Sequence, residues 1–302
     1  MDLQLNGKHA LVTGSTAGIG YAIAAALAAE GARVVVNGRT QQRVDRALSA
    51  IRKSTGKEVE GFAADLGTAE GCAEAIAKFP DLDILVNNLG IFEPKAFEQI
   101  TDEDWLRMFE VNVLSGVRLS RHYLPAMRQR NWGRIVFISS ESAVQIPAEM
   151  IHYGMTKTAQ LAISRGLAET TAGTNVTVNT VLAGPTASEG VNLFVEKLAA
   201  GKQSDRASVE REFLAQMRPS SLLKRFAEPK EVAALVTFVC SPLSSATNGA
   251  ALRADGGVVR SILQKPLPQI ALCFSALLHQ AGVVATRKCR TNCNETLSPL
   301  VI

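Results

Sequence analysis

Short, continuously apolar runs alternate with longer stretches of helical spacing through the first 185 residues, and this rhythm constrains the fold more than any other feature. "HALVTG" (9–14), "ARVVVNG" (32–38), "DILVNN" (83–88), "RIVFISS" (134–140) and "NVTVNTVLAG" (175–184) read as strands, with "GFAAD" (61–65) as a shorter one. They are apolar at nearly every position, as strands covered on both faces of a parallel sheet are. The stretches between them read as helices, and the one beginning at Thr101 has a cap, with Asp104 three residues on. Strand and helix repeated in this order predict right-handed crossovers and one open sheet, hence a single doubly wound α/β domain.

Composition matters mainly for what it excludes. Aromatic residues make up only 5% of 302, so the core is built from Ala, Val, Leu and Ile, which suits close packing of helix on sheet. The net charge of +4 comes without a dense basic run, and no nucleic-acid partner is expected. "MDLQLNGKHALVTG" lacks the pattern of a signal peptide. "IALCFSALLHQAGVVA" is broken by His279 and Gln280 and falls short of the ~20 residues that span a bilayer, so no membrane partner is expected either. Five cysteines form no regular framework; Cys289 and Cys293 have no second pair to complete a zinc site, so no metal is expected, and a reducing, cytoplasmic setting fits.

The first strand runs into "TGSTAGIG", where Gly14, Gly18 and Gly20 precede an alanine-rich helix. Glycines there allow a tight turn and close approach of the backbone to a pyrophosphate, which the helix N-terminus attracts. The spacing is G-x-x-x-G-x-G, and a turn needed only for packing is the alternative. At the end of the second strand an acidic residue would bind the ribose hydroxyls of NAD, whereas an arginine accommodates a 2′-phosphate. The sequence has Gly38 and then Arg39, which favours NADP(H) over NAD(H); a solvated surface arginine is the alternative. Residues 186–222 are more charged and break the rhythm. They leave the last crossover strand on the side where ligands bind, so a helical lid is expected there, a surface insertion being the alternative.

"IHYGMTK" follows the strand "RIVFISS" and places Tyr153 and Lys157 one helical turn apart on one face. A cation so close to a phenol would lower its pKa and fit it for acid–base work near neutrality. The alternative is a surface tyrosine packed along a lysine stem.

"TGSTAGIG", "NNLG" (87–90), Asn112 within "FEVNVLSG", "RIVFISS", Tyr153-x-x-x-Lys157 and "RFAEPKEVAALVTFVCSPLSSATNGAALRADGG" (225–257) resemble, in order and spacing, the short-chain dehydrogenase/reductase family over roughly residues 5–263. The chain is similar to its 3-oxoacyl reductase-like members. The resemblance implies a Rossmann-like domain over 1–263 and a catalytic set of Asn112, Ser140, Tyr153 and Lys157. Tyr153 would exchange a proton with the substrate oxygen. Lys157 would lower its pKa and bind the nicotinamide ribose. Ser140 would hydrogen-bond the carbonyl oxygen, and Asn112 would hold a water in the proton relay. Cofactor contacts are implied for Thr16 and Ile19 in the glycine turn, Arg39, the adenine-side pair Asp65 and Leu66, Asn88, Gly90, and Thr186 or Ser188 at the carboxamide.

Two departures stand out. "LAGPT" has Ala183 where the family usually carries proline, which should loosen that loop, and Ala17 stands where many NADP-preferring members are basic. The implied function is an NADP(H)-dependent reductase of a ketone, 3-oxoacyl or other small carbonyl. The alternatives are an NAD-dependent alcohol or sugar dehydrogenase and a catalytically silent sensor or scaffold. Val191, Phe194, Leu198 and Phe213 in the lid, with Gln145 and Met150, would give a moderately apolar pocket. Helices at 101–130 and 153–172 are those through which members form homodimers and homotetramers. The tail at 264–302 fits no family element and reads as a docking extension, a disordered segment or a translated stretch from a shifted frame, disorder being the expectation.

Overall fold

The computed structural model describes residues 1–191 and 205–262. Strands β1 (His9–Val12), β2 (Arg33–Gly38), β3 (Glu60–Ala63), β4 (Ile84–Asn87), β5 (Gly133–Ser140), β6 (Val176–Ala183) and β7 (Ala251–Ala254) form a sheet in the order β3-β2-β1-β4-β5-β6-β7. Every pairing is parallel. Each strand expected from the sequence is present, and those at 9–14, 83–88 and 61–65 end one or two residues early, at Val12, Asn87 and Ala63. β5 and β6 are buried along their whole length, the reason for their unbroken apolar runs.

Side chains alternate across the sheet as the pleat requires. Ala10, Val12, Val34, Val36, Val86 and Val136 face one side, where Ile23 and Leu27 of α1 (Gly18–Ala29), Ile51 of α2 (Gln41–Thr55) and Val232 and Val236 of α8 (Pro229–Cys240) cover them. Leu11, Val35, Leu85, Ile135 and Phe137 face the other side, against Ala75 of α3 (Ala69–Lys78), Leu119 and Tyr123 of α5 (Ser115–Gln129) and Ala168 of α6 (Ile151–Glu169). Two layers of helix on one parallel sheet make the Rossmann-like, doubly wound architecture.

The long helix expected over 101–130 is interrupted. α4 (Asp102–Phe109) begins with the expected capping box of Thr101 and Asp104, but Glu110–Leu114 forms a π-helical turn before α5. The wide turn carries Asn112, whose side chain is claimed from outside the helix: Oδ1 accepts from the Ile91 N–H (2.7 Å) and Nδ2 donates to the Ile91 carbonyl (2.9 Å) and to Thr156 Oγ1 (3.0 Å).

Residues 1–260 form one compact unit, and of the second unit, 261–302, only Ser261 and Ile262 are described. Of the expected lid, residues 189–191 and α7 (Arg206–Met217) are helical. Residues 192–204, with Phe194 and Leu198, and the tail at 264–302, with Cys273, Cys289 and Cys293, lie outside the described residues. Among the described residues no helix is long and apolar enough to cross a membrane, and no group of three or more His, Cys, Asp and Glu could hold a metal.

Candidate active site

Strand order reverses between β1 and β4: β1 to β3 build outwards one way and β4 to β7 the other. The loops at the carboxyl ends of these strands diverge there and leave a crevice. A cleft of about 600 Å³ opens at this point, bordered by Gly14, Gly18, Ile19 and Gly20 after β1, Asn88 and Gly90 after β4, Ser140 at the end of β5, Tyr153 and Lys157 on α6, and Thr186 and Ser188 after β6. Eleven of the sequence-derived site residues therefore meet in one place. Thr16, Arg39, Asp65 and Leu66 lie at or near the ends of β1, β2 and β3 without bordering the cleft, and Asn112 lies behind it.

The glycine turn is built for close approach. α1 starts after Ala17 with no capping side chain and no acidic residue in its first turn, so its first N–H groups are left for a ligand. Gly18 has φ +60°, a backbone that side chains disfavour. A Cβ at Gly20 would come within 2.4 Å of Asn88 Nδ2 and 2.5 Å of the Gly14 carbonyl. Asn88 Nδ2 donates to the carbonyls of Thr13 (2.9 Å) and Gly14 (3.0 Å), and Asn37 Oδ1 accepts from the Gly14 N–H (3.1 Å), so the turn is braced from both neighbouring strands. Neither brace is visible in a glycine pattern.

At the end of β2 the space an acidic side chain would need is taken. A Cβ at Gly38 would lie 2.4 Å from Thr16 Cγ2. Arg39 beyond it is exposed and, among the described residues, has no carboxylate partner. Arg43 on α2 is paired with Glu189, which crosses from the segment after β6.

On the opposite wall, Lys157 is buried, and its Nζ donates to the Ile138 carbonyl at 2.9 Å and to Gln160 Oε1 at 3.4 Å. Gln160 in turn donates to the Asn112 carbonyl at 2.6 Å, so a chain of amides joins Lys157 to the π-helical turn. Burial lowers the Lys157 ammonium to about 8. The adjacent serines have different tasks. Ser139 Oγ donates to the Lys157 carbonyl at 2.9 Å and fixes α6 to β5, while Ser140 donates to the neighbouring Glu141 carboxylate.

The expected direction of the Tyr153 shift is corrected by the structure. Lys157 Nζ stands 5.6 Å from the Tyr153 ring centroid and is bonded elsewhere. Burial, first, and the charge of Glu141, second, push the phenol above its usual value; a Ser140 hydrogen bond and Arg218 work against them. Two further expectations change. Gln145 is exposed and does not border the cleft, whereas Met150, Val191 and Phe213 do. The "LAGPT" loop is not loose: Ala183 is a strand residue opposite Ala254, the Gly184 N–H donates to the Ala254 carbonyl (3.1 Å), and Pro185 and Ala187 bond the Ala227 backbone at 2.8 and 2.9 Å.

The residues that sequence reasoning missed are Glu141, Arg218, Gln160 and Phe92, whose ring meets Tyr153 edge-on at 6.2 Å. Glu141 beside the serine was the one available signal: a carboxylate inside a buried strand end needs a cation, and none is near it in sequence.

A family model described as enoyl-(acyl carrier protein) reductase matches residues 14–259. The uncharacterized oxidoreductase YvaG of Bacillus subtilis is 52% identical, over 87% of this chain and 100% of that protein. The chain belongs to the short-chain dehydrogenase/reductase family. It is 33% identical to the 3-oxoacyl-[acyl-carrier-protein] reductase FabG of Aquifex aeolicus, over 85% of this chain and 100% of that protein. Among solved structures, L-sorbose reductase from Gluconobacter frateurii, complexed with NADPH and L-sorbose, superposes with a TM-score of 0.81 at 32% identity, covering 87% of this chain and 100% of that one. As a short-chain dehydrogenase/reductase the protein is an oxidoreductase acting on the CH–OH and carbonyl pair. The silent-sensor alternative is thereby set aside.

Proposed function

We propose that the protein is an NADP(H)-dependent reductase converting a small ketone to its secondary alcohol. The observation that carries this reading is the pairing of Thr16 with Gly38, which fills the place of an acid at the end of β2 and leaves Arg39 as the first charge beyond it. The residues fit the cofactor. The uncapped start of α1 and the close-approach glycines would hold the pyrophosphate, Arg39 the 2′-phosphate, Asp65 and Leu66 the adenine, and Lys157, Thr186 and Ser188 the nicotinamide end. When bound, NADPH supplies the hydride. Tyr153 donates the proton to the substrate oxygen, with Ser140 beside it. Lys157 orients the ribose, and Asn112 holds the Ile91 backbone that borders the cleft. Phe92, Met150, Val209 and Phe213 make the substrate side largely apolar, in keeping with an uncharged carbonyl compound. The buried free thiols Cys72 and Cys240 accord with a reducing cytoplasm, and we assign a homodimer or homotetramer by likeness to the family.

Fluorescence titration of the purified protein with NADPH and, separately, NADH tests the reading. NADPH is expected to bind the more tightly, and Arg39→Ala to weaken it about tenfold, roughly 1.4 kcal/mol, while sparing NADH. Equal or tighter binding of NADH sinks the assignment and favours an NAD-dependent alcohol or sugar dehydrogenase.

A further inference from the structure

Arg218 borders the substrate side of the cleft just after α7, is 6% exposed, and is already paired there. Its Nε donates to Glu141 Oε1 at 2.5 Å, and its Nη1 donates to Glu149 Oε1 at 3.2 Å and to the Met217 carbonyl at 2.7 Å. Glu141 follows Ser140 at the end of β5, and Glu149 stands in the short turn that leads into α6. One guanidinium thus meets two carboxylates, and the cluster holds one more negative charge than positive. The remaining nitrogen, Nη2, has no acceptor among the described residues, so its N–H groups are left for a ligand. The Phe213 ring lies against the guanidinium, with Cζ 5.8 Å from its centroid.

Among the described residues that border the cleft, the other cation is Lys157, which the proposed function gives to the nicotinamide ribose. The other charges there are Glu189, paired with Arg43, and Glu212, which accepts from Gln216 at 3.1 Å. A substrate carboxylate would therefore reach Arg218 in the company of two like charges. Repulsion between like charges is strong where the wall is this dry, and it offsets the attraction of a cation already shared. An uncharged oxygen meets no such repulsion and can accept from Nη2.

We propose that Glu149, acting with Glu141, sets the charge of the substrate: the two carboxylates occupy Arg218, so the cleft takes a ketone bearing an uncharged oxygen function, an ester or a hydroxyl, and rejects an oxo acid of the same size. This rests on the reading of the protein as a carbonyl reductase and narrows it. Glu149 is the residue to change, because its side chain is 27% exposed, whereas Glu141 is enclosed by Ser140 and Ser142. Without Glu149, Nη1 loses its carboxylate and the Arg218–Glu141 pair that remains is neutral overall.

Methyl acetoacetate and acetoacetate share a ketone and differ by one charge, and both are offered to the full-length protein with NADPH. Wild type is expected to favour the ester by about a hundredfold in kcat/KM. In Glu149→Gln the acid-to-ester ratio should rise about tenfold, and in Glu149→Asp, which keeps the charge, it should stay as in wild type. A ratio within each protein cancels any general loss of activity. A wild type that reduces the acid as well as the ester overturns the proposal. So does an unchanged ratio in Glu149→Gln, or Glu149→Asp behaving like Glu149→Gln. Should Glu149→Gln not fold, a trimethylammonium ketone of similar length decides with wild type alone: it is expected to be reduced better than acetoacetate, and the reverse order overturns the proposal. Binding is followed beside turnover, by saturation-transfer NMR of both acetoacetate compounds with each protein. Methyl acetoacetate is expected to draw signal from wild type, and acetoacetate to draw it more strongly from Glu149→Gln than from wild type. No transfer to the ester, or equal transfer to the acid in both proteins, overturns the proposal. Binding as expected without reduction of either compound counts against the functional reading and leaves the charge preference supported.

Discussion

Lys157 shows what a single buried charge does to this protein. Among the described residues its ammonium donates to the Ile138 carbonyl and to Gln160 and has no carboxylate partner, and burial lowers it to about 8 from an ordinary 10.5. Below about pH 8 both the folded and the unfolded chain carry the proton, and the folded state bears the full cost of the buried charge. Between about 8 and 10.5 the unfolded chain binds more protons than the folded one, so stability rises with pH. Above that window both are neutral. Lys157→Met removes the group, so its stability advantage over wild type should shrink by about 3 kcal/mol from pH 7.5 to 10.5. Urea denaturation of both proteins at the two pH values measures this, and a constant difference would refute it. Tyr153, Cys72 and Cys240 shift upward and act in the opposite sense at high pH, but they are common to both proteins and cancel in the comparison.

Among the elements, the π-helical turn at Glu110–Leu114 has the clearest purpose. An α-helix continued through 101–130 would have kept Asn112 in register with its neighbours. The wide turn instead delivers its amide to both backbone groups of Ile91, one residue after Gly90, where the loop leaves β4 for the cleft. Asn112→Ala leaves an N–H and a carbonyl without their partner, a loss of about 2 kcal/mol. A lowered denaturation midpoint with unchanged helical content is the expected result; a midpoint equal to wild type would show that the loop does not depend on the turn. The strands and most helices were legible in the sequence because burial on both faces of a parallel sheet leaves unbroken apolar runs. The π-turn was not, since its cause is a bond to residue 91 and not a local preference.

For the molecule as a whole, long-range polar ties matter more than surface ion pairs. Arg134, 1% exposed at the start of β5, donates to the carbonyls of Ser241 (3.2 Å) after α8, of Asn175 (2.8 Å) before β6 and of Gly133 (2.9 Å). It joins three chain segments at the end of the sheet opposite the cleft. Arg134→Met should cost about 3 kcal/mol through the unpaired carbonyls it leaves, whereas Glu58→Gln, which breaks the exposed pair with Arg52, should change stability by less than about 1 kcal/mol. Comparable losses in the two variants, measured by chemical denaturation, would contradict this ranking.

What the sequence determined by itself is what short-range order encodes. The strands, the glycine turn after β1, the order of the motifs, and the spacing of Tyr153 and Lys157 all follow from periodicity and local chemistry. The tertiary structure decided the electrostatics. Glu141 and Arg218 are 77 residues apart and meet only because α7 returns to the end of β5. Thr16 and Gly38 became a cofactor argument only when β1 and β2 paired. Tyr153 was expected to be acidified by the lysine one turn away, and it is raised instead. The sign of such a shift depends on how much water the rest of the chain removes and on which charges it brings close, and neither quantity is a property of sequence neighbours.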